Sequence, residues 1–154
     1  MRVLFLDFDG VLNHEGTYQP AQPGGLIVLV TSETERLDSA CVARVNRIVR
    51  ETGARVVVSS TWRHEYDRAQ LQGHLTRHGF EGDVFDVTPI LSGRPRGLEI
   101  CAWLEEHPYV EAFAILDDNG DMGPVVDRLV QTSFAHGLQD EHVDRVIALL
   151  NGTA

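Results

Sequence analysis

Three short apolar runs in this chain each stop abruptly on acidic or hydroxyl residues. Arg2 to Leu6 stops at Asp7-Phe8-Asp9-Gly10. Arg55 to Val58 stops at Ser59-Ser60-Thr61. Ala112 to Leu116 stops at Asp117-Asp118-Asn119-Gly120-Asp121. Longer stretches with helical spacing lie between them, so strand and helix alternate along the chain. That alternation predicts an α/β fold with a central parallel sheet. In such a sheet the C-terminal ends of the strands share one edge, and ligands bind there. Carboxylates far apart in sequence therefore converge on one place.

The rest of the pattern fills in around these runs. Asp38 or Ser39 is placed to cap a helix running to about Thr52, ended by Gly53. Its apolar residues Leu37, Cys41, Val45, Ile48 and Val49 recur at helical intervals. A second helix is expected from about Glu65 to His78, and a third from Gly97 to His107. A last helix, Glu141 to Leu150, is expected to be capped by Asp140. Val84 to Val87 reads as a further strand, and Leu129 to Thr132 as a fifth. Residues 13–25 read as loop, and Leu26 to Val30 as a short strand in a flap.

Asp7, Asp9, Asp117 and Asp118 brought together would repel one another strongly and require a cation. All-oxygen ligation suits a hard divalent ion, Mg²⁺ above all. Period-two alternation on the first strand would point Asp7 and Asp9 the same way and Phe8 the other.

Composition limits the chemistry. The chain has 154 residues, enough for one domain spanning 1–154, and its formal net charge is −10. Such a surface disfavours a broad nucleic-acid coat, although a local basic patch in a cleft is allowed. All 13 basic residues are arginine. Any cationic role in a site falls to Arg, His or a metal, and Schiff-base lysine chemistry is excluded. Two cysteines, Cys41 and Cys101, make neither a disulfide framework nor a four-thiolate zinc site; they read as small buried apolar residues. The longest apolar run is too short to cross a bilayer, and no export signal is read at the N-terminus. A cytoplasmic protein without membrane contact is the expectation.

Asp7-Phe8-Asp9-Gly10-Val11-Leu12 resembles the first motif of the haloacid dehalogenase (HAD) superfamily of phosphohydrolases. Ser59 resembles the second motif, Arg96 the third and the pair Asp117-Asp118 the fourth, all in the family's order over residues 7–121. Ser59-Ser60-Thr61-Trp62-Arg63, Arg96-Gly97 with Trp103-Leu104, and Gly137-Leu138 narrow the resemblance to small domains that accompany RNA-repair multidomain proteins. The resemblance implies a single three-layer Rossmann-like domain. It also implies Mg²⁺-dependent phosphomonoester hydrolysis through an aspartyl-phosphate. Asp7 would be the nucleophile and Asp9 the general acid and base. Ser59 would bind phosphate, with Ser60 as the other candidate, and Arg96 would offset charge. Gly10 would let the backbone turn beside the phosphate, and Trp62 and Arg63 would lean over the substrate. Asp7, Asp9, Asp117 and Asp118 would surround the metal, with Asp118 or Asp121 acting through water or by holding Arg96.

No lid domain is read in the gaps between motifs. An open cleft suits a large or polymeric substrate such as a nucleic-acid end or a phosphoprotein; a sugar phosphate or nucleotide is the alternative. Arg63, Arg94 and Arg96 are the expected basic patch at the rim. His74 and His78, four apart on a helix, read as a solvated face. Two competing classes are a receiver-type signalling domain and a non-catalytic binding domain of the same fold. In the receiver the acidic pair follows strand one and a late Lys is usual, and this chain has neither feature.

Overall fold

In the computed structural model, residues 1–18 and 36–154 are described. The flap expected around Leu26 to Val30 lies outside them, as does most of the loop before it. Five strands form one all-parallel sheet in the order β3-β2-β1-β4-β5. They are β1 (Arg2–Leu6), β2 (Arg55–Val58), β3 (Val84–Val87), β4 (Ala112–Asp117) and β5 (Leu129–Gln131). The order places β1 at the centre, where the chain reverses direction of winding, and that is where an open α/β sheet presents its ligand crevice. This is the Rossmann-like arrangement expected from the sequence.

Among the described residues four α-helices flank the sheet: α1 (Ser39–Thr52), α2 (Arg68–Arg77), α3 (Arg96–Glu105) and α4 (Asp140–Asn151). Helix α1 starts where Asp38 accepts a hydrogen bond from the Ala40 amide at 2.8 Å, and Gly53, at φ 68°, ends it. Helix α2 is shorter than expected. It starts at Arg68 rather than about Glu65, Asp67 caps it in a reciprocal box with Gln70, and Thr61–His64 before it form a 3₁₀ turn. The last helix is capped by Gln139 rather than Asp140.

The two faces of the sheet are unequal. Leu4, Leu6, Val56, Val58, Ala114 and Leu116 point to a large core built with residues of α1, α2 and α4. Val3, Phe5, Val57 and Ile115 point to a smaller one, closed by Ile100 and Trp103 of α3 and by Met122. Cys41 is buried and Cys101 half-buried, and both are free thiols. Between Thr61 and Arg96 the chain provides only the 3₁₀ turn, α2 and β3. Among the described residues there is no cap domain, and no helix is long and apolar enough to cross a membrane.

Candidate active site

Register places the first three polar residues. Leu6 pairs with Val58 on one side and with Leu116 on the other. The next residues, Asp7, Ser59 and Asp117, therefore form a lateral row. The ladder continues through it, with the Asp7 amide donating to Leu116 O and the Ser59 amide to Leu6 O, both at 3.0 Å. By alternation the row shares the face of Val3, Phe5, Val57 and Ile115, over which α3 lies.

Arg96 opens α3 directly above this row. Its Nη1 lies 3.1 Å from Asp7 and 2.5 Å from Asp117. A cation in the first turn of a helix opposes the helix dipole, and here the two carboxylates offset that cost. Gly97 makes the approach possible: a Cβ there would collide with the Met122 carbonyl. Gly10, at φ 77°, plays the matching role on the other side, because a Cβ there would strike the Asp118 carboxylate. Asp7, Asp117 and Asp118 each offer an oxygen within 4.8 Å of the others.

Burial, then repulsion from Asp117, holds the Asp7 carboxyl well above the ordinary range, although Arg96 pulls it back. Burial and Asp117 likewise raise Asp118. Burial alone would lower Arg96, but Asp7 and Asp117 outweigh it and raise the guanidinium above its ordinary value. The trio thus carries more negative charge than one arginine compensates comfortably. All-oxygen donors of this kind, few and clustered, fit a hard divalent cation such as Mg²⁺.

The two serines separate clearly. Ser60 Oγ accepts from the Trp62 amide at 3.2 Å and caps the 3₁₀ turn. Ser59 Oγ is fully buried and has no hydrogen-bond partner among the described residues. A buried, unsatisfied hydroxyl costs about 1–3 kcal/mol, so it marks a place where an oxygen-bearing group is missing. Asp117 holds Arg96, and Asp118 belongs to the carboxylate trio. Asp121 is exposed, and its amide donates to the Asn119 side chain.

Three expectations change. Asp9 does not join the trio. The strand ends before it, the chain turns at Phe8, whose carbonyl accepts from Val11 and Leu12, and the alternation that would align Asp9 with Asp7 is lost. Its carboxylate is exposed and accepts instead from Trp62 Nε1, 3.2 Å from both oxygens, and from Asn13 Nδ2 at 2.9 Å. Trp62 is therefore a buried support for Asp9 that also stacks edge-on with Phe8.

Arg63 is not exposed at the rim, although it borders the same cavity as Arg94 and Arg96. It is buried, paired with Glu99 at 3.1 Å, and donates to the carbonyls of Ser60, Thr88 and Pro89 and to the Thr88 hydroxyl. The exposed Arg94 and His64, with Arg96 behind them, line a cavity of about 480 Å³ and carry the basic character there. His74 is buried rather than solvated. Its ring packs against Trp62 and Tyr66, and its Nδ1 lies 2.8 Å from Arg77.

Asn13, Thr132 and Glu99 support the site without belonging to any of the sequence motifs, and Gly97 adds a packing role to its place beside Arg96. Asn13 accepts from the Gly10 amide and donates to Asp9 and to the Tyr18 hydroxyl. Thr132 donates to the Gly10 carbonyl. Gly97 admits α3, and Glu99 anchors Arg63. The one local signal was the violation of helix electrostatics at Arg96, with a glycine immediately after it.

A family model described as the HAD domain in Swiss Army Knife RNA repair proteins matches residues 3–143. The chain belongs to that family. No curated protein and no solved structure matches it. The HAD assignment agrees with the strand order, with the lack of a cap domain among the described residues, and with the order in which this domain's acidic and basic residues occur.

Proposed function

We propose that this HAD domain is a Mg²⁺-dependent phosphomonoester hydrolase working through an aspartyl-phosphate, in a cytoplasmic setting. The observation that carries the reading is the row Asp7–Ser59–Asp117 with Arg96 across it and an unpartnered hydroxyl within it. Bound Mg²⁺ would offset the charge of the carboxylates and of the incoming phosphate. Asp7 Oδ attacks phosphorus, the bond from phosphorus to the ester oxygen breaks, and Asp9 gives that oxygen its proton. Asp9 then takes a proton from water as the water attacks the aspartyl-phosphate. The bond from phosphorus to Asp7 breaks and inorganic phosphate leaves. Ser59 donates to a phosphoryl oxygen, and Arg96 stabilises charge that grows on the phosphoryl group. Trp62 and Asn13 fix the direction in which Asp9 faces.

With no cap domain among the described residues, the sheet edge favours substrates larger than a sugar phosphate. A nucleic-acid end, in keeping with the RNA-repair context in the family's description, and a nucleotide are the two candidates. The test is phosphate release from an aryl phosphate with Mg²⁺, with EDTA and with Asp7→Asn. Release should require Mg²⁺, and the asparagine variant should keep its fold and lose turnover. More than a few per cent residual turnover would assign the nucleophile elsewhere.

A further inference from the structure

Beside Asp9, on the side away from the Arg94 cavity, lies a second hollow of about 310 Å³. It is lined by Asp9, Tyr18, Thr61, Trp62, Glu65 and Tyr66. That volume is at the small end for ligand pockets and suits one ring system rather than an extended chain. Its walls are aromatic on three sides. Tyr18 is braced by Phe134, with ring centroids 6.2 Å apart and nearly parallel, and its hydroxyl accepts from Asn13. Tyr66 is braced by Trp62 and His74. These rings are therefore held in place before any ligand arrives.

The polar groups are Thr61 and two carboxylates, Asp9 and the exposed Glu65. None of the described arginines lines this hollow, in contrast to the cavity that Arg63, Arg94 and Arg96 line, which shares only Thr61 with it among the described residues. An anionic group would be repelled here, whereas an uncharged ring would stack.

We propose that this hollow is the leaving-group subsite, and that it selects phosphate monoesters of uncharged, ring-bearing alcohols. The inference rests on the reading of Asp9 as the residue that protonates the leaving oxygen, because that role places the departing alcohol next to Asp9. Stacking on protein rings is worth about tenfold or more per ring. A benzyl-type alcohol and a nucleoside share the required chemistry, and both are assayed.

The experiment compares kcat/KM for acetyl phosphate, glycerol phosphate, benzyl phosphate, a nucleoside monophosphate and a nucleoside bisphosphate. Glycerol, benzyl alcohol and nucleoside leave as alkyl alcohols, so the ring and not the leaving-group acidity separates them. The same phosphates, acetyl phosphate excepted, are titrated onto Asp7→Asn by calorimetry, which needs no turnover. Benzyl phosphate or the nucleoside monophosphate should exceed glycerol phosphate about tenfold or more in kcat/KM and in affinity. The bisphosphate should fall below the monophosphate, and Glu65→Arg should narrow that gap. The preference for the ring should shrink at least about fivefold in Tyr66→Leu and in Tyr18→Leu, and persist in Tyr18→Phe.

Turnover of acetyl phosphate with no ring preference in rate or binding would overturn the subsite and leave the phosphatase reading standing. Ring-dependent binding without any Mg²⁺-dependent turnover would do the reverse. Equal loss for glycerol and ring substrates in both tyrosine variants would make these residues part of the fold alone.

Discussion

Arg63 and Arg96 begin from the same chemistry and end in opposite roles. Each is a largely buried arginine that reaches a carboxylate across the α3 side of the sheet. Arg63 meets one carboxylate, Glu99, and four further oxygen acceptors from Ser60, Thr88 and Pro89. Glu99 is satisfied in turn by the Leu91 amide at 2.9 Å. That set ties the turn after β2 to the segment before α3 through five oxygen acceptors. Arg96 meets two carboxylates that repel each other and sits beside a hydroxyl with nothing to bind. That set is unbalanced. What distinguishes a structural arginine from one in a site is the completeness of its acceptors, which neither burial nor charge reveals.

The comparison breaks first at Arg63. Removing one partner of a buried ion pair costs about 3–5 kcal/mol. Arg63→Met should lower the unfolding free energy read from a urea titration by that much, and Arg63→Met with Glu99→Leu should recover part of it. An Arg63→Met protein of unchanged stability but raised KM would return this residue to the substrate rim.

Arg96→Ala should act on rate. Loss of one donor to a developing charge costs about 10²–10³ in kcat, with a small change in thermal midpoint when Mg²⁺ is present. Steady-state kinetics beside a thermal melt separates the two quantities. A collapse of the fold with Mg²⁺ bound would make Arg96 as structural as Arg63.

The unbalanced charge also sets a pH dependence. Burial, then Asp117, raises the carboxyl of Asp7 in the folded protein, and burial with Asp117 raises Asp118. Unfolded, these groups lose their protons near pH 4 (about the reference value). Between that pH and the raised folded value, the folded state holds more protons. Stability from these groups is therefore complete below the unfolded value and falls as pH rises through the folded one. Melting in EDTA should show this decline, Arg96→Ala should deepen it, and Mg²⁺ should remove it. A metal-free protein whose stability rises steadily over the same range would contradict the charge imbalance.

The smallest effect belongs to Ser59. Ser59→Ala removes a hydroxyl that is unsatisfied in the free protein, so stability should hold or rise by up to about 1 kcal/mol. Activity should fall about tenfold or more as a phosphate contact disappears. Ser60→Ala should do the opposite, losing a cap worth about 1 kcal/mol with a smaller effect on rate.

Sequence exposed the row but not its supports. Three apolar runs ending on Asp7, Ser59 and Asp117 place those residues on one edge because parallel pairing leaves no other arrangement. Arg96 followed from its motif position. Arg63 was misread because its partners, Glu99 and the Thr88 carbonyl, come from segments whose approach no local pattern encodes. Asp9 was misread because alternation holds only while the strand lasts, and the chain turns at Phe8. The burial of His74 depends on Trp62 and Tyr66, which the 3₁₀ turn Thr61–His64 and the residues after it bring against its ring, an approach no local pattern encodes.

The central claim is that Asp7 carries the phosphoryl group between two half-reactions. The direct measurement is acid quenching during turnover with Mg²⁺, followed by peptide mass spectrometry. The account predicts one added phosphoryl group on the peptide containing Asp7, absent with EDTA and absent in Asp7→Asn. Sustained Mg²⁺-dependent phosphate release by Asp7→Asn, with that peptide unmodified, would contradict it.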